Sequence, residues 1–242
     1  MAVLIPEHCE LCPRRCGVDR RIQTGRCGAG NTLRAARAAL HRWEEPCISG
    51  EDPERGSGTV FFCGCTLGCV FCQNGAISHG GEGKEITAGR LAEVFLALQA
   101  QGAYNINLVT PTQYLPWILE ALNLCGERLA IPVLYNTGGY ERVEMLRLLE
   151  RRVQIYLPDL KYYDSALSAR YSAAPDYFAV AAQALREMFR QVGPVRFDEN
   201  GMLQSGMVVR HLVLPGAHKD SLRLLNWLAD NFSPEDIRLS LM

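Results

Sequence analysis

Short apolar runs alternate with longer amphipathic segments along most of this chain of 242 residues. The apolar runs are rich in β-branched residues and predict strands, whereas apolar residues recurring every three or four positions predict helices. The predicted strands are residues 59–62, 106–110, 131–137, 153–160, 207–216 and 237–241. The predicted helices lie within residues 85–102, 113–126, 141–152, 165–172, 176–191 and 221–231. From residue 59 onward the chain is therefore expected to alternate strand and helix.

Three residues mark where predicted helices begin. Thr87 fits the N-cap of the first helix and Asp220 fits that of the last one. Pro116 has to fall in the first turn of its helix, because a proline further inside would break the helix. These signals set the expected starts of three helices.

Nearly continuous apolar strands, each followed by an amphipathic helix, are typical of a parallel sheet with helices outside it. Six such units are too few for a full eight-fold barrel. The sequence therefore predicts an α/β fold with a partial (β/α)6 barrel over residues 57–242. Residues 1–56 are rich in cysteine, arginine and turn residues, and we expect them to form a separate cysteine-rich segment and linker.

Composition indicates a soluble protein of the reducing cytoplasm. Hydrophobic residues make up 48% of the chain and charged residues 21%, as in ordinary globular proteins. No apolar run approaches the roughly 20 residues of a membrane span, and the first residues lack the pattern of a signal peptide. Ten cysteines in such a chain predict metal ligands rather than disulfides.

The net charge of −1 hides an asymmetry between the two parts of the chain. Residues 1–43 contain eight arginines against three acidic residues, a balance of +5, which leaves −6 for the remainder. One interpretation is a zinc-organised module that binds nucleic acid. The favoured interpretation is a set of solvated arginines around a small metal site, and we expect neither a nucleic-acid partner nor a membrane.

Candidate chemistry is concentrated in FFCGCTLGCVFCQNGAIS, residues 61–78. Cys65, Cys69 and Cys72 have the spacing C-x3-C-x2-C and follow the first predicted strand, at the edge where α/β barrels place their active sites. Thiolates select zinc or iron–sulfur clusters. Three thiolates on one loop can hold three irons of a 4Fe–4S cluster and leave the fourth open to a ligand.

The segment CTLGCVFC resembles the cluster-binding signature of the radical S-adenosylmethionine superfamily, with Phe71 at its aromatic position. The wider segment SGTVFFCGCTLGCVFCQN resembles the branch related to pyruvate formate-lyase activating enzyme, which also carries an N-terminal cysteine segment. The resemblance implies an enzyme that cleaves S-adenosylmethionine reductively and abstracts hydrogen from a protein or peptide. It also implies an external one-electron donor of the flavodoxin or ferredoxin type. A modifying enzyme for a small molecule is the alternative within the same superfamily.

Two residues of the cysteine segment and several polar residues at the predicted strand ends are the candidates for holding S-adenosylmethionine. The expected cofactor contacts are Phe71, Asn74, Thr110, Thr112, Asn136, Asp159, Lys161 and Arg210. Arg210 would meet the methionine carboxylate, because a buried arginine needs an anion. His211, on the opposite face of the same strand, is expected to be structural. The GGE sequence at residues 80–82, which resembles a cofactor-binding motif, is interpreted as a turn.

Two features of the N-terminal segment leave alternatives open. Its cysteines have four-ligand spacing and predict a second metal site, with zinc or iron, an auxiliary cluster or free thiols as the alternatives; they are Cys9, Cys12, Cys16 and Cys27. Glu44 and Glu45 either line the cavity of the barrel or belong to a linker anchored by Trp43.

Overall fold

The computed structural model describes residues 3–79 and 83–242. Its strands are β1 (Leu33–His41), β2 (Gly56–Phe62), β3 (Lys84–Ile86), β4 (Ala103–Val109), β5 (Val133–Thr137), β6 (Ile155–Pro158), β7 (Arg196–Phe197), β8 (Leu203–His211) and β9 (Arg238–Leu241). Its α-helices are α1 (Pro46–Ser49), α2 (Gly75–Ser78), α3 (Ala88–Ala100), α4 (Leu115–Cys125), α5 (Val143–Leu146), α6 (Ser165–Ser172), α7 (Tyr177–Val192) and α8 (His218–Asn231).

These strands form one mixed sheet in the described part of the chain, in the order β3-β1-β2-β4-β5-β6-β8-β7, with β9 paired to β8. Six of them run parallel, and the pairs are β2–β4, β4–β5, β5–β6, β6–β8 and β8–β9. Strands β1, β3 and β7 pair antiparallel at the margins. The α/β fold with six parallel strands confirms the fold class predicted from the sequence.

Most predicted elements are present, with shifts at their ends. Thr87 caps α3 by accepting the Arg90 backbone N–H, and Pro116 lies in the first turn of α4, both as predicted. Asp220 is not the cap of α8, which begins at His218. Instead, the Asp220 carboxylate accepts the backbone N–H groups of Tyr163 and Asp164 and so ties α8 to the start of α6.

Two predicted elements differ more. The helix expected over 141–152 is only the short α5 followed by a 3₁₀ turn at Arg147–Leu149. Strand β8 begins four residues earlier than predicted and ends at His211. It starts earlier because its first residues pair with β7, a contact that the local pattern does not signal.

Strand β1 was not predicted, because residues 33–41 read LRAARAALH, with alanines that have low strand propensity. The segment forms a strand because it pairs antiparallel with β2, from Ala35 opposite Phe62 to His41 opposite Ser57. The N-terminal segment thus adds a strand to the main sheet. The division of the chain into a segment of residues 1–56 and a core domain of residues 57–242 stays a prediction.

Side chains alternate between the two faces of the parallel strands. Ile106 and Leu108 point outward and pack in the core beneath the helices, whereas Asn105 and Asn107, which alternate with them, point inward. We call the inward space enclosed by β2, β4, β5, β6 and β8 the barrel lumen. Its charged side chains lie toward the carboxyl ends of the strands, where the loops carry the cysteine motif.

Helix α1 closes the opposite end of the barrel lumen. Ile48 of α1 is fully buried, and Asn105 donates to its carbonyl at 2.8 Å. The apolar side chains around it come from β5, β6 and β8, and they are Leu134, Ile155, Leu157, Leu203 and Val208. The segment between β1 and β2 therefore forms the floor of the lumen, which the sequence did not indicate.

Within residues 3–79 and 83–242, no helix combines the length and apolar character needed to cross a bilayer.

Replacing Ile48 by alanine tests this floor. We expect Ile48→Ala to lower the free energy of unfolding by about 3 kcal/mol, because it leaves a cavity in a fully buried cluster. Chemical denaturation measures the change. Ile22→Ala is the matched control, since Ile22 is 82% exposed and its loss should change stability by less than about 0.5 kcal/mol. Equal stability of the two variants would mean that α1 does not plug the barrel.

Candidate functional site

The three cysteines of the motif lie in the loop that follows β2. Cys65, Cys69 and Cys72 line one cavity of about 240 Å³ at the carboxyl end of the parallel strands. The loop starts at Gly64, whose φ of +80° favours glycine and whose added Cβ would stand 2.1 Å from the Cys27 carbonyl oxygen. That carbonyl accepts the Cys65 backbone N–H at 3.2 Å. The N-terminal segment thus holds the first cysteine of the motif in place.

Each of the three sulfur atoms accepts one hydrogen bond. Cys65 Sγ accepts from the Leu67 N–H at 3.4 Å, Cys69 Sγ from the Ser172 hydroxyl at 2.9 Å, and Cys72 Sγ from the Ser78 hydroxyl at 3.5 Å. Donors directed at sulfur are suited to thiolates. Burial raises the pKa of Cys65 to about 12, so a bound metal is needed to keep this group deprotonated at neutral pH.

This donor set fits a 4Fe–4S cluster. The three thiols surround one cavity at its mouth, and each has a hydrogen-bond donor beside its sulfur. Three cysteine ligands leave one iron of such a cluster without a protein ligand. The residues present could therefore hold the cluster and offer one coordination position to a small molecule in the same cavity.

Seven of the eight predicted cofactor contacts line this cavity, and they are Phe71, Asn74, Thr110, Asn136, Asp159, Lys161 and Arg210. Seven other lining residues were not predicted, and they are Leu67, Gln73, Val109, Thr137, Gly138, Leu212 and Met242. Leu67 lies within the cysteine motif and Gln73 directly follows it. Val109 and Thr137 adjoin predicted positions at strand ends, so position in the sequence could have identified these four residues.

Thr112 is not brought to the cavity. It is buried in the 3₁₀ turn Thr112–Tyr114, and its hydroxyl donates to the Glu141 carboxylate at 2.5 Å. The turn directs Thr112 away from the cavity, while Thr110 stays at its edge with a φ of +56°. The expected cofactor contact at Thr112 is thus replaced by a contact with Glu141.

Gln113, in the same turn, connects two edges of the site. Its side-chain amide donates to the carbonyls of Cys63, Gly64 and Thr110, at 3.1, 3.1 and 2.8 Å. The amide therefore fixes the start of the cysteine loop relative to the end of β4. Sequence reasoning gave Gln113 no role, because its three partners become neighbours only when β2 and β4 pair.

Asp159, Lys161 and Arg210 form a partly buried ion network at the mouth of the lumen. The Asp159 carboxylate lies 2.6 Å from Lys161 Nζ and 3.0 Å from Arg210 Nε. Burial alone would raise the pKa of Asp159, but the two cations hold it below its usual value. The pKa of Lys161 is raised in turn, because Asp159 outweighs the effect of burial. The sequence left open a pair on the protein surface here, and the structure has a partly buried pair instead.

Arg210 is occupied by groups of the protein itself. Besides Asp159, it donates to Asn136 Oδ1 at 2.6 Å and lies 3.2 Å from Glu44 Oε2. Each nitrogen of its guanidinium therefore has a protein partner, and the methionine carboxylate is not required as its anion. The Lys161 ammonium has one hydrogen-bond partner among the described residues, so two of its three N–H donors remain for a ligand.

Glu44 reaches the lumen from the N-terminal segment. Its second oxygen accepts from the Asn107 side chain at 3.1 Å, and burial raises the pKa of Glu44. Trp43 is 87% exposed and so is not a buried anchor, whereas the Glu44 side chain contacts Arg210 and Asn107, which decides the question left open by the sequence in favour of a residue of the lumen. The N-terminal segment thus supplies one of the four charges of the network.

His211 is structural, as expected. It is buried, and its ring nitrogens contact the Leu160 carbonyl at 2.7 Å and the Ser221 hydroxyl at 2.8 Å. Both contacts lie on the helix side of β8, opposite the cavity that Arg210 lines. The GGE sequence at residues 80–82 lies outside the described residues.

The four N-terminal cysteines line a second, small cavity: Cys9, Cys12, Cys16 and Cys27. Arg20 and Gln113 line it too, and Arg20 Nη2 and Gln113 Oε1 are buried without a partner in the described structure. Among residues 3–79 and 83–242, however, no three His, Cys, Asp or Glu side chains are arranged to hold a single metal ion. The cysteines do not fit one zinc ion as they lie, and the second metal stays a prediction.

A profile of the Radical SAM superfamily matches residues 59–228, more than half of the chain. The chain therefore belongs to the Radical SAM superfamily, as the resemblance of its cysteine motif implied. Among curated proteins it is similar to the uncharacterized protein MJ0674 of Methanocaldococcus jannaschii, with 29% identity over 217 residues. The match covers 86% of this chain and 57% of the relative, so the chain spans little more than half the length of that protein.

Solved structures with the same fold are SuiB and methylornithine synthase. Streptococcus suis SuiB bound to S-adenosylmethionine has a TM-score of 0.51 and 16% identity, over 73% of this chain and 37% of SuiB. SuiB has also been solved bound to the precursor peptide SuiA. Methylornithine synthase (PylB) has a TM-score of 0.52 and 17% identity, over 73% of this chain and 50% of PylB. At these identities the similarity establishes the fold.

Glu141 offers a test of the buried polar layer behind the cavity. Burial raises its pKa from 4.5 to about 7, and its carboxylate accepts from the hydroxyls of Thr112 and Thr137. The folded protein therefore loses stability as pH rises from about 4.5 through 7, where the unfolded chain releases this proton more easily. We expect the free energy of unfolding of Glu141→Gln, relative to that of the wild type, to rise by about 2 kcal/mol between about pH 5 and pH 8.

Denaturation curves of both proteins across this pH range measure the difference in their free energies of unfolding. The other titrating groups are the same in both proteins, so they do not alter this difference. Glu51→Gln, at an exposed glutamate, is the control and should show no such trend. A difference between Glu141→Gln and the wild type that does not vary with pH would contradict the burial of an ionisable carboxylate at this position.

Proposed function

We propose that this chain binds a 4Fe–4S cluster through Cys65, Cys69 and Cys72 and uses it to cleave S-adenosylmethionine reductively. The observation that carries the proposal is the single cavity shared by these three thiols and the polar strand ends. When bound, the cluster would supply the electron that splits the cofactor into methionine and a 5′-deoxyadenosyl radical, which abstracts hydrogen. An external flavodoxin- or ferredoxin-like protein would supply electrons to it.

The protein's own residues would bind and orient S-adenosylmethionine. Lys161 keeps two donors for a carboxylate or hydroxyl oxygen, and Thr110 and Asn74 offer polar groups on either side of the cavity. Phe71 supplies an apolar face. The plugged lumen below would exclude water, which a radical reaction requires.

We propose that the hydrogen comes from a protein or peptide, as in the activating enzymes that the cysteine motif resembles. A cavity of about 240 Å³ is smaller than the roughly 300–1,000 Å³ of typical small-molecule sites. A bound cofactor would fill most of it, so the hydrogen donor would be presented from outside. The structure of SuiB with a precursor peptide is consistent with this access on the same fold.

The two alternatives have less support. A small-molecule modifying enzyme remains compatible with the fold, which methylornithine synthase shares. A nucleic-acid-binding module is disfavoured because several arginines of the basic segment already have partners within the protein. Arg20 is fully buried, Arg14 donates to the carbonyls of Thr66 and Ser172, and Arg21 pairs with Asp19.

Alanine variants of the three cysteines test the cluster. Anaerobically reconstituted wild type should be brown, carry about four irons beyond any N-terminal metal and form 5′-deoxyadenosine with dithionite and S-adenosylmethionine. Cys65→Ala, Cys69→Ala and Cys72→Ala should each lose cofactor cleavage by at least about 100-fold. Cys125→Ala is the matched control, because Cys125 is buried against the Ala92 carbonyl. Cleavage retained by the motif variants, or a colourless protein holding only zinc, would overturn the proposal.

A second experiment addresses the kind of substrate. Incubation of the reconstituted protein with candidate partner proteins should produce a protein-borne radical, detected by electron paramagnetic resonance. Consumption of a small molecule without a protein-borne radical would favour the modifying enzyme instead.

A further inference from the structure

The hydrogen bond from Ser172 to Cys69 joins two elements that are distant in the sequence. Ser172 is the last residue of α6 and fully buried, and its hydroxyl oxygen lies 2.9 Å from Cys69 Sγ. The two other donors to the motif sulfurs are at 3.4 and 3.5 Å. Ser172 therefore makes the shortest of the three contacts, and it makes it in a buried environment where hydrogen bonds are stronger.

Tyr162 determines which way the Ser172 proton points. The Tyr162 hydroxyl lies 2.7 Å from Ser172 Oγ, and Tyr162 is fully buried between Phe71 and Tyr177. A serine hydroxyl has a single proton. When that proton is directed at Cys69 Sγ, Tyr162 has to be the donor to Ser172. The three groups then form a relay in which every proton points toward the sulfur.

The backbone at the end of α6 is fixed as well. Arg14 donates to the Ser172 carbonyl at 3.1 Å and to the Thr66 carbonyl, within the cysteine loop, at 2.9 Å. The same guanidinium contacts the carbonyl of Ala173, which terminates α6 with a φ of +49°. One arginine thus holds the donor helix and the cysteine loop together, so the Ser172–Cys69 distance is set by the fold.

We propose that Ser172 is a positioning residue that, held by Tyr162, raises the reduction potential of the cluster by donating to the sulfur of Cys69. A reduced cluster carries more negative charge on its sulfurs, and a donor at sulfur stabilises that form. The inference rests on the proposed function, since it presumes a cluster on Cys69. It adds a residue outside the cysteine motif that sets how readily the cluster accepts its electron.

The test is a redox titration of reconstituted protein, monitored by electron paramagnetic resonance. Ser172→Ala should shift the midpoint potential to a more negative value, and Tyr162→Phe should shift it less in the same direction. Ser172→Thr keeps the hydroxyl and should restore the wild-type potential. Ser168→Ala is the matched control: Ser168 is a buried serine of the same helix whose hydroxyl donates to the Ser165 carbonyl, and its loss should leave the potential unchanged.

An unchanged potential in Ser172→Ala would overturn the proposal. So would an equal shift in Ser168→Ala, because a general loosening of α6 would then explain the effect. If Ser172→Ala takes up no cluster, Tyr162→Phe is titrated in its place. An unchanged potential in that variant would also overturn the proposal. A wild type that binds no cluster or leaves S-adenosylmethionine intact is a different result, because it removes the proposed function itself.

Discussion

Four partly buried charges at the mouth of the barrel have to neutralise one another, and this requirement joins the elements around the site. Arg210 of β8 lies between Asp159, which follows β6, and Glu44 of the N-terminal segment, while Lys161 pairs with Asp159. An unpaired charge in such a place costs several kcal/mol. The strands and the N-terminal segment are therefore held in one relative position, and Asp159, Lys161 and Arg210 line the same cavity as the three cysteines of the motif.

The N-terminal segment contributes to the site in three ways. It forms a strand of the sheet, it places Ile48 and Glu44 inside the barrel, and it accepts the Cys65 N–H through the Cys27 carbonyl. The superfamily match begins only at residue 59, after these contributions. In this chain the segment is accordingly part of the architecture around the cysteine loop.

Features carried by local pattern were predictable, and features created by tertiary contact were not. The parallel strands, the cap at Thr87 and the cysteine spacing follow from periodicity and residue chemistry over a few positions. The roles of Glu44 and Ser172 depend on partners more than 100 residues away, Arg210 and Cys69. Thr112 was misplaced because a 3₁₀ turn redirects it, and strand β1 was missed because pairing overrides the weak strand propensity of its alanines.

Electron paramagnetic resonance of the reduced protein, recorded before and after addition of S-adenosylmethionine, tests the central claim most directly. In the proposed function, three thiol ligands would leave one iron of the cluster free to coordinate the cofactor. The account predicts a 4Fe–4S signal in the protein alone whose g values change when S-adenosylmethionine binds that iron. A signal that the cofactor leaves unaltered, in protein shown to carry a full complement of iron, would contradict it.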